Sequence, residues 1–210
     1  MTIILFVDLA GFTALTDTHG DVKASEVVRE FEVIVRKHVR EHGLHEVKTI
    51  GDAFLLTCES APRAVTAVLE IVSDVNQRDE YPDVRVGIHA GDVVEREGDI
   101  IGQNVNIAAR VAALAGAGEV LVTSEVIDRG LPPEVVPVPV GTRRLRHIAS
   151  PVELFDVAPV PSGKVKDPVC HMTLAKSRAA GSFNWAGRPY HFCSRDCLLR
   201  FLEDPDSFVG

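Results

Sequence analysis

No stretch of the chain approaches the ~18 uninterrupted apolar residues that a spanning helix requires, so a membrane-embedded protein is not expected. The apolar start, residues 2–15, carries Asp8 and has neither a basic leader nor a small-residue cleavage site, which argues against a signal peptide. A surplus of positive charge is missing too. The 210 residues hold 22 Lys and Arg against 30 Asp and Glu, a balance that speaks against a general binder of nucleic-acid backbones. Internal repeats and low-complexity tracts are absent. Cysteine is scarce: the four thiols, with no secretory signal, read as free thiols or metal ligands rather than a disulfide framework. What is present is globular: 46% of residues are hydrophobic, too many for disorder, and the length suits one large domain, alone or with a small companion.

Charge is not evenly spread. Residues 1–160 carry 15 basic and 25 acidic side chains, whereas residues 161–210 carry 7 and 5 and hold three of the four cysteines, Cys170, Cys193 and Cys197. Between them runs Val157-Ala-Pro-Val-Pro-Ser-Gly163, whose prolines and glycine suit an extended linker. We expect two domains, residues 1–158 and 166–210, joined by a linker over 159–165. The second is too small for a large core of its own and needs a metal, disulfides or a partner to hold its fold.

Within the first domain, Ile3–Val7 reads as a buried strand ending at Asp8. Gly11 and Thr13 turn into a helix, and Asp21 can cap a second one running to about Glu41, with Val27, Phe31, Ile34, Val35 and Val39 on one face. Residues 44–58 read as a hairpin turning at Gly51-Asp52. A helix over about 61–77, strands over 84–90 and 119–123, and further strands between 135 and 157 follow. A helix over 102–115 has Ala108, Ala109, Ala112 and Ala113 for close packing. Mixed strands and helices without strict alternation predict α+β with a largely antiparallel sheet.

The chemistry lies at strand ends and turns. Asp8 ends an apolar strand, where a bare carboxylate is costly unless it meets a cation. Asp52 sits in a Gly-Asp turn, and two such carboxylates are what Mg²⁺ takes while keeping water and phosphate oxygens in its shell. Gly11 and Thr13 at a helix start leave backbone N–H groups free for an anion. Asn106 and Arg110, four apart, share a helix face. An amide and a guanidinium near paired carboxylates suit phosphoryl transfer. Singly, each has a bland reading: a cap, a turn residue, a solvated Lys48, a surface ion pair at Arg110. Together they demand several independent coincidences.

Four segments resemble the class III nucleotidyl cyclase catalytic domain, in the family's order and spacing over about residues 2–157: Phe6-Val-Asp-Leu-Ala-Gly-Phe-Thr13, Val47-Lys-Thr-Ile-Gly-Asp-Ala-Phe54, Arg85-Val-Gly-Ile-His-Ala-Gly91 and Asp99-Ile-Ile-Gly-Gln-Asn-Val-Asn-Ile-Ala-Ala-Arg110. The resemblance implies a ferredoxin-like βαββαβ fold. It also implies two Mg²⁺ or Mn²⁺ ions per site, held by Asp8, Asp52 and Leu9, with Gly11, Phe12, Thr13 and Arg146 on the triphosphate. Lys48 and Asp99 match the pair that reads adenine, where guanylate cyclases of the family typically place Glu and Cys; ATP is therefore the expected substrate. Asn106 matches the residue that positions the ribose, and Arg110 the one that stabilises charge on the reacting phosphate. The implied reaction is in-line attack of the ribose 3′-hydroxyl on the α-phosphorus, releasing pyrophosphate. In the family the metal-binding pair comes from one protomer and the remaining residues from its partner, so a homodimer with composite sites is implied. Ile101 stands where the family often has an aromatic.

In the last segment Cys193-Ser-Arg-Asp-Cys197 is a C-x₃-C pair, and Cys170 lies 23 positions before Cys193. Such thiolates can converge on one soft or borderline ion, Zn²⁺ or another thiophilic metal, with His171, His191 or Met172 completing the set; His191 is the ligand chosen with the three cysteines. Asp167-Pro-Val-Cys-His-Met172, Tyr190-His-Phe-Cys-Ser194, Cys197, Phe201 and Asp204-Pro205 resemble the YHS domain, a small treble-clef-like metal-binding module. His171 departs from the family's usual glycine. Elsewhere Cys58 reads as a small core residue, His89 as a strand hydrogen-bonding group, and His38, His42 and His45 as a helix-end cluster.

The expectation is an adenylate cyclase in the cytoplasm, with no nucleic-acid or membrane partner, whose C-terminal module tunes activity through its metal. The alternatives are a guanylate cyclase, which Lys48 and Asp99 oppose, or a metal sensor whose cyclase-like domain binds nucleotide but turns it over weakly.

Overall fold

The computed structural model describes residues 1–157, 164–170, 172–186 and 188–208. The chain begins with β1 (Thr2–Leu9), whose residues are buried or half-buried, and passes through Gly11 into α1 (Phe12–Glu41). That helix is broken once, at Gly20 (φ 80°, ψ 165°), just before the residue expected to cap a new helix. β2 (His45–Ile50) and β3 (Ala53–Cys58) form the predicted hairpin, and α2 (Ala61–Asn76) starts from Ser60, whose hydroxyl accepts from Arg63 N. The two-residue β4 (Tyr81–Pro82) leads to β5 (Val84–Gly91). A small hairpin, β6 (Val94–Arg96) and β7 (Asp99–Ile101), precedes α3 (Gln103–Leu114). β8 (Val120–Thr123), the short α4 (Ser124–Ile127), β9 (Val138–Arg143) and β10 (Val152–Asp156) complete this part.

One seven-stranded sheet, in the order β2-β3-β1-β5-β8-β10-β9, carries the architecture. All neighbours are antiparallel except β5 and β8, matching the expected α+β class. Strand alternation sends Ile3, Leu5, Val7 and Leu9 to one face, where α1 and α2 cover them with Phe31, Ile34, Val35, Val65, Val68 and Ile71. Ile4 goes to the other face, onto Leu55, Ile100 and Ala108 of α3. Every α1 residue expected on the buried face is buried. Glycine lets α3 approach closely: a Cβ on Gly87 would stand 2.1 Å from Ala112 N and 2.8 Å from Ala108 O. Ala108 and Ala112 make that contact; Ala113, expected to help, is exposed.

The C-terminal part comprises β11 (Lys164–Lys166), β12 (Met172–Ala175), β13 (Gly181–Trp185), β14 (Arg188–Phe192) and α5 (Arg195–Glu203). Most of the expected linker lies outside the described residues, and its end, at 164 and 165, is already strand. The segment is stabilised by a partner within the same chain. β12 pairs with β4 of the first part, making a three-stranded sheet β11-β12-β4. Val169, Cys170, Met172, Phe192, Cys197 and Phe201 belong to the same buried cluster as α1, α2 and the sheet. Phe201 is its local hub, with the rings of Phe183, Tyr190, Phe192 and Phe208 centred 5.1–6.5 Å away. Truncating such a buried ring to alanine costs about 3–5 kcal/mol. No helix among the described residues is long and apolar enough to cross a membrane.

Candidate active site

β1 delivers Asp8 to the end of the central sheet. Register sets Asp8 opposite Arg85 on β5 and Val7 opposite Phe54 on β3, so the Gly51-Asp52 turn closes beside it. Gly51 (φ 64°) turns that hairpin and Gly11 (φ 71°) starts α1, both in the left-handed region. The result is a cavity of ≈ 340 Å³ lined by Asp8, Leu9, Gly11, Phe12, Thr13, Asp52 and Arg85. Six of these seven were singled out from sequence.

The electrostatics of the cavity suit a divalent cation. Burial, and then the charge of Asp8, push the Asp52 carboxyl up to about 6. On the other side Arg85 grips Asp8: its Nε and Nη2 donate to Oδ2 at 2.7 and 2.5 Å. A cation between the carboxylates would relieve the repulsion that a proton on Asp52 otherwise relieves, so the donor set fits Mg²⁺ or Mn²⁺. Arg85 is the residue that sequence reading missed; its pairing with Asp8 depends on strand register, which the local sequence does not display.

The remaining expected residues lie on other surfaces. Lys48, beside a bulge in the edge strand β2, donates to Asp99 Oδ2 at 2.5 Å, and Asp99 Oδ1 accepts from Ile100 N at 2.8 Å. The Lys48 ammonium and the Ile100 N–H hold Asp99 below the usual carboxylate range. Asn106 is exposed on α3, and Arg110 one turn on is half-buried. The Nε of Arg110 is buried with no hydrogen-bond partner among the described residues. Arg146 lies not on a strand but in the β9–β10 loop, exposed, next to His147 (φ 62°). None of these five lines the Asp8 cavity.

His89 behaves as a structural group. It is buried, with Nδ1 2.9 Å from Thr123 Oγ1 and Nε2 3.1 Å from Asn104 Oδ1, and burial lowers its pKa. Asn104 Nδ2 in turn donates to Asp92 O at 2.8 Å, so the network ties the first turn of α3 to β5 and β8. His38 and His42 pair with Asp74 and Glu70, linking α1 to α2, while His45 is exposed on β2. Cys58 is a buried core residue, as expected.

In the C-terminal part Cys170, Cys193 and Cys197 meet as free thiols, with Sγ atoms of Cys170 and Cys193 3.4 Å apart and those of Cys193 and Cys197 3.7 Å apart. Hydrogen bonds from the other two thiols lower the Cys197 pKa below the usual thiol range. Buried Asp167 accepts from Val169 N at 2.8 Å and Cys193 N at 2.7 Å, pinning both cysteine segments together. His191, the expected fourth ligand, is on β14 opposite Ser182 and does not join this cluster; burial lowers its pKa, as does the Lys176 charge. His19 of α1 joins instead, its Nε2 3.8 Å from Cys193 Sγ. Met172 is buried, and His171 lies outside the described residues.

Comparison with known proteins agrees with this geometry. Residues 1–142 match the adenylate and guanylate cyclase catalytic domain, and residues 165–210 match the YHS domain. An uncharacterised protein of Mycobacterium tuberculosis is 32% identical over 77% of this chain and 42% of its own length. A pH-sensitive adenylate cyclase of the same species is 34% identical over 73% of this chain and 40% of its own length. An adenylate cyclase of Streptomyces griseus is 34% identical over 62% of this chain and 34% of its own length. The chain thus spans less than half the length of these relatives. Among solved structures, an adenylate/guanylate cyclase/hydrolase from Silicibacter pomeroyi superposes with a TM-score of 0.64 at 28% identity, covering 76% of this chain and 97% of that one. Adenylate cyclases of Trypanosoma brucei share the fold, with a TM-score of 0.70 at 24% identity, over 77% of this chain and 89% of theirs. The chain belongs to the adenylate and guanylate cyclase catalytic domain family, and it carries a YHS domain behind that domain.

Proposed function

We propose that this chain is an adenylate cyclase that converts ATP to 3′,5′-cyclic AMP and pyrophosphate as a homodimer with two composite sites. One observation carries the reading. A paired-carboxylate cavity at the start of α1 and an adenine-matching donor–acceptor pair, Lys48 and Asp99, occur in one chain but on separate surfaces. A second copy supplies to each cavity what its own chain holds elsewhere.

The division of labour follows from the chemistry of each group. Backbone N–H groups at the start of α1, over Gly11–Thr13, receive phosphate oxygens. Asp8 and Asp52 hold the cations, and such ions when bound polarise phosphate and lower the pKa of an attacking hydroxyl. Lys48 donates to an adenine ring nitrogen while Asp99 accepts from the exocyclic amine, a pattern that guanine inverts. Asn106 orients the ribose so that its 3′-hydroxyl lies in line with the α-phosphorus. Arg110, whose Nε has no partner within its own chain among the described residues, offers its charge to the reacting phosphate of the other protomer's nucleotide.

Mixing inactive chains tests the shared-site arrangement. Asp8→Ala and Asn106→Ala each leave one half of every site defective, so each homodimer is expected to be nearly inactive. Their heterodimer contains one intact site, and activity recovers toward about a quarter of the wild-type value at random assortment of equal chains. No recovery on mixing would contradict the homodimer.

A further inference from the structure

We propose that His19, a residue of the cyclase domain, completes with Cys170, Cys193 and Cys197 a tetrahedral Zn²⁺ site that joins the YHS domain to the helix lining the catalytic cavity. The four ligand atoms lie within 4.8 Å of one another. A tetrahedron with Zn–S of ~2.3 Å and Zn–N of ~2.0 Å has S···S edges of about 3.8 Å and S···N edges of about 3.5 Å. The observed separations, 3.4 and 3.7 Å between sulfurs and 3.8 Å from Cys193 Sγ to His19 Nε2, sit close to those edges. None of the three cysteines is in a disulfide. The support of the cluster is equally built. Asp167 binds the backbone N–H of Cys193 and of Val169 beside Cys170, and the Ser194 hydroxyl accepts from Cys197 N at 3.1 Å at the start of α5. Such groups fix the ligand segments.

What makes the site consequential is where His19 stands. Gly11 begins α1 and Gly20 interrupts it, so residues 12–19 form a separate rod of two turns, roughly 10 Å long. Phe12 and Thr13 at its near end line the cavity with Asp8 and Asp52; His19 is its far end. The YHS domain grips that last turn a second time, through Arg200 Nη1 to Thr18 Oγ1 at 2.7 Å. Metal ligation therefore anchors the far end of the element whose near end receives the triphosphate. That consequence rests on the cyclase reading; the metal site itself does not.

The test titrates the full chain with Co²⁺ as an optical stand-in for Zn²⁺, comparing wild type with His19→Ala, His19→Cys and His191→Ala. The wild type is expected to take one Co²⁺ per chain with tetrahedral d–d bands and thiolate charge transfer, displaced by Zn²⁺. His19→Ala weakens binding by at least ~10–100-fold, the loss seen when even outer partners of a site are removed. His19→Cys retains tight binding with bands shifted toward an all-thiolate spectrum, and His191→Ala titrates like the wild type. Hydrogen exchange over residues 12–19 slows when Zn²⁺ is added to the wild type and not when it is added to His19→Ala. Unchanged affinity and spectrum in His19→Ala, a loss in His191→Ala instead, or no Co²⁺ uptake by the wild type would each overturn the site. Equal exchange over 12–19 with and without Zn²⁺ would overturn the anchoring. Cyclic-nucleotide formation measured on the same samples reports on the cyclase reading separately, because the spectra do not depend on turnover.

Discussion

Arg85 and Asp8 face each other across neighbouring strands, and the guanidinium donates twice to a single carboxylate oxygen, at 2.7 and 2.5 Å. The arginine therefore plays, on one side of Asp8, the part a bound cation would play on the other. Removing it leaves a mostly buried carboxylate without compensation, which costs roughly 1–3 kcal/mol. Arg85→Ala is expected to lower the metal-free melting temperature, and Mn²⁺ should raise it by more than it raises the wild type's. Thermal melts with and without Mn²⁺ check this; an equal or smaller Mn²⁺ shift in the variant would contradict the role.

Gly87 is expected to tolerate no side chain. Its Cβ would stand 2.1 Å from backbone of α3, which cannot yield as a flexible side chain would. Overpacking of this kind costs about 1–3 kcal/mol and more when backbone is struck. Gly87→Ala should fall at or beyond the upper end in urea unfolding, and activity should fall with it because α3 carries Asn106 and Arg110. A variant of wild-type stability would show that α3 is not seated as described.

Stability should also respond to pH through His89. Burial lowers its pKa, so below the ordinary histidine value of about 6.5 the unfolded chain binds a proton that the folded chain resists. Stability is thus full above pH 6.5 and is lost as pH falls from there through the folded pKa. His89→Gln, which has no such proton to bind, should show a flatter dependence across that window. Denaturation at pH 7.5 and 5.5 measures the difference; parallel losses would assign the acid sensitivity elsewhere.

Base choice should be exchangeable at two positions. Lys48→Glu with Asp99→Cys replaces the pair proposed to read adenine by the residues that guanylate cyclases of the family typically place there. Turnover of ATP is expected to fall at least ~10²-fold, because a site built for one polar edge leaves its groups unpaired against another. GTP turnover should rise relative to ATP. An unaltered ATP preference would remove Lys48 and Asp99 from base recognition.

These residues also show what the sequence displayed and what it hid. Asp8 was legible because an apolar strand ending in a carboxylate is costly without a cation, and Asp52 because it follows a turn glycine. The α1 break was legible in Asp21 after Gly20. Arg85, by contrast, is an ordinary strand cation until register sets it against Asp8. The β6–β7 hairpin has no strong local signal, because its turn, Glu97-Gly98, places a glutamate at positive φ rather than the usual asparagine or aspartate. β4 is two residues long and finds its partner 90 positions later, in β12. The three cysteines announced their spacing, but His19 lies 174 positions from Cys193, on a helix of the other domain. Only the shared core brings it there.

The most direct measurement is product formation. The purified chain is incubated with ATP or with GTP, each with Mg²⁺ or Mn²⁺, and cyclic nucleotide is quantified by mass spectrometry. Cyclic AMP and pyrophosphate are expected from ATP, metal-dependent and abolished by Asp52→Ala, with far less cyclic GMP from GTP. Cyclic GMP as the main product, or no cyclic nucleotide with either metal, would contradict that expectation.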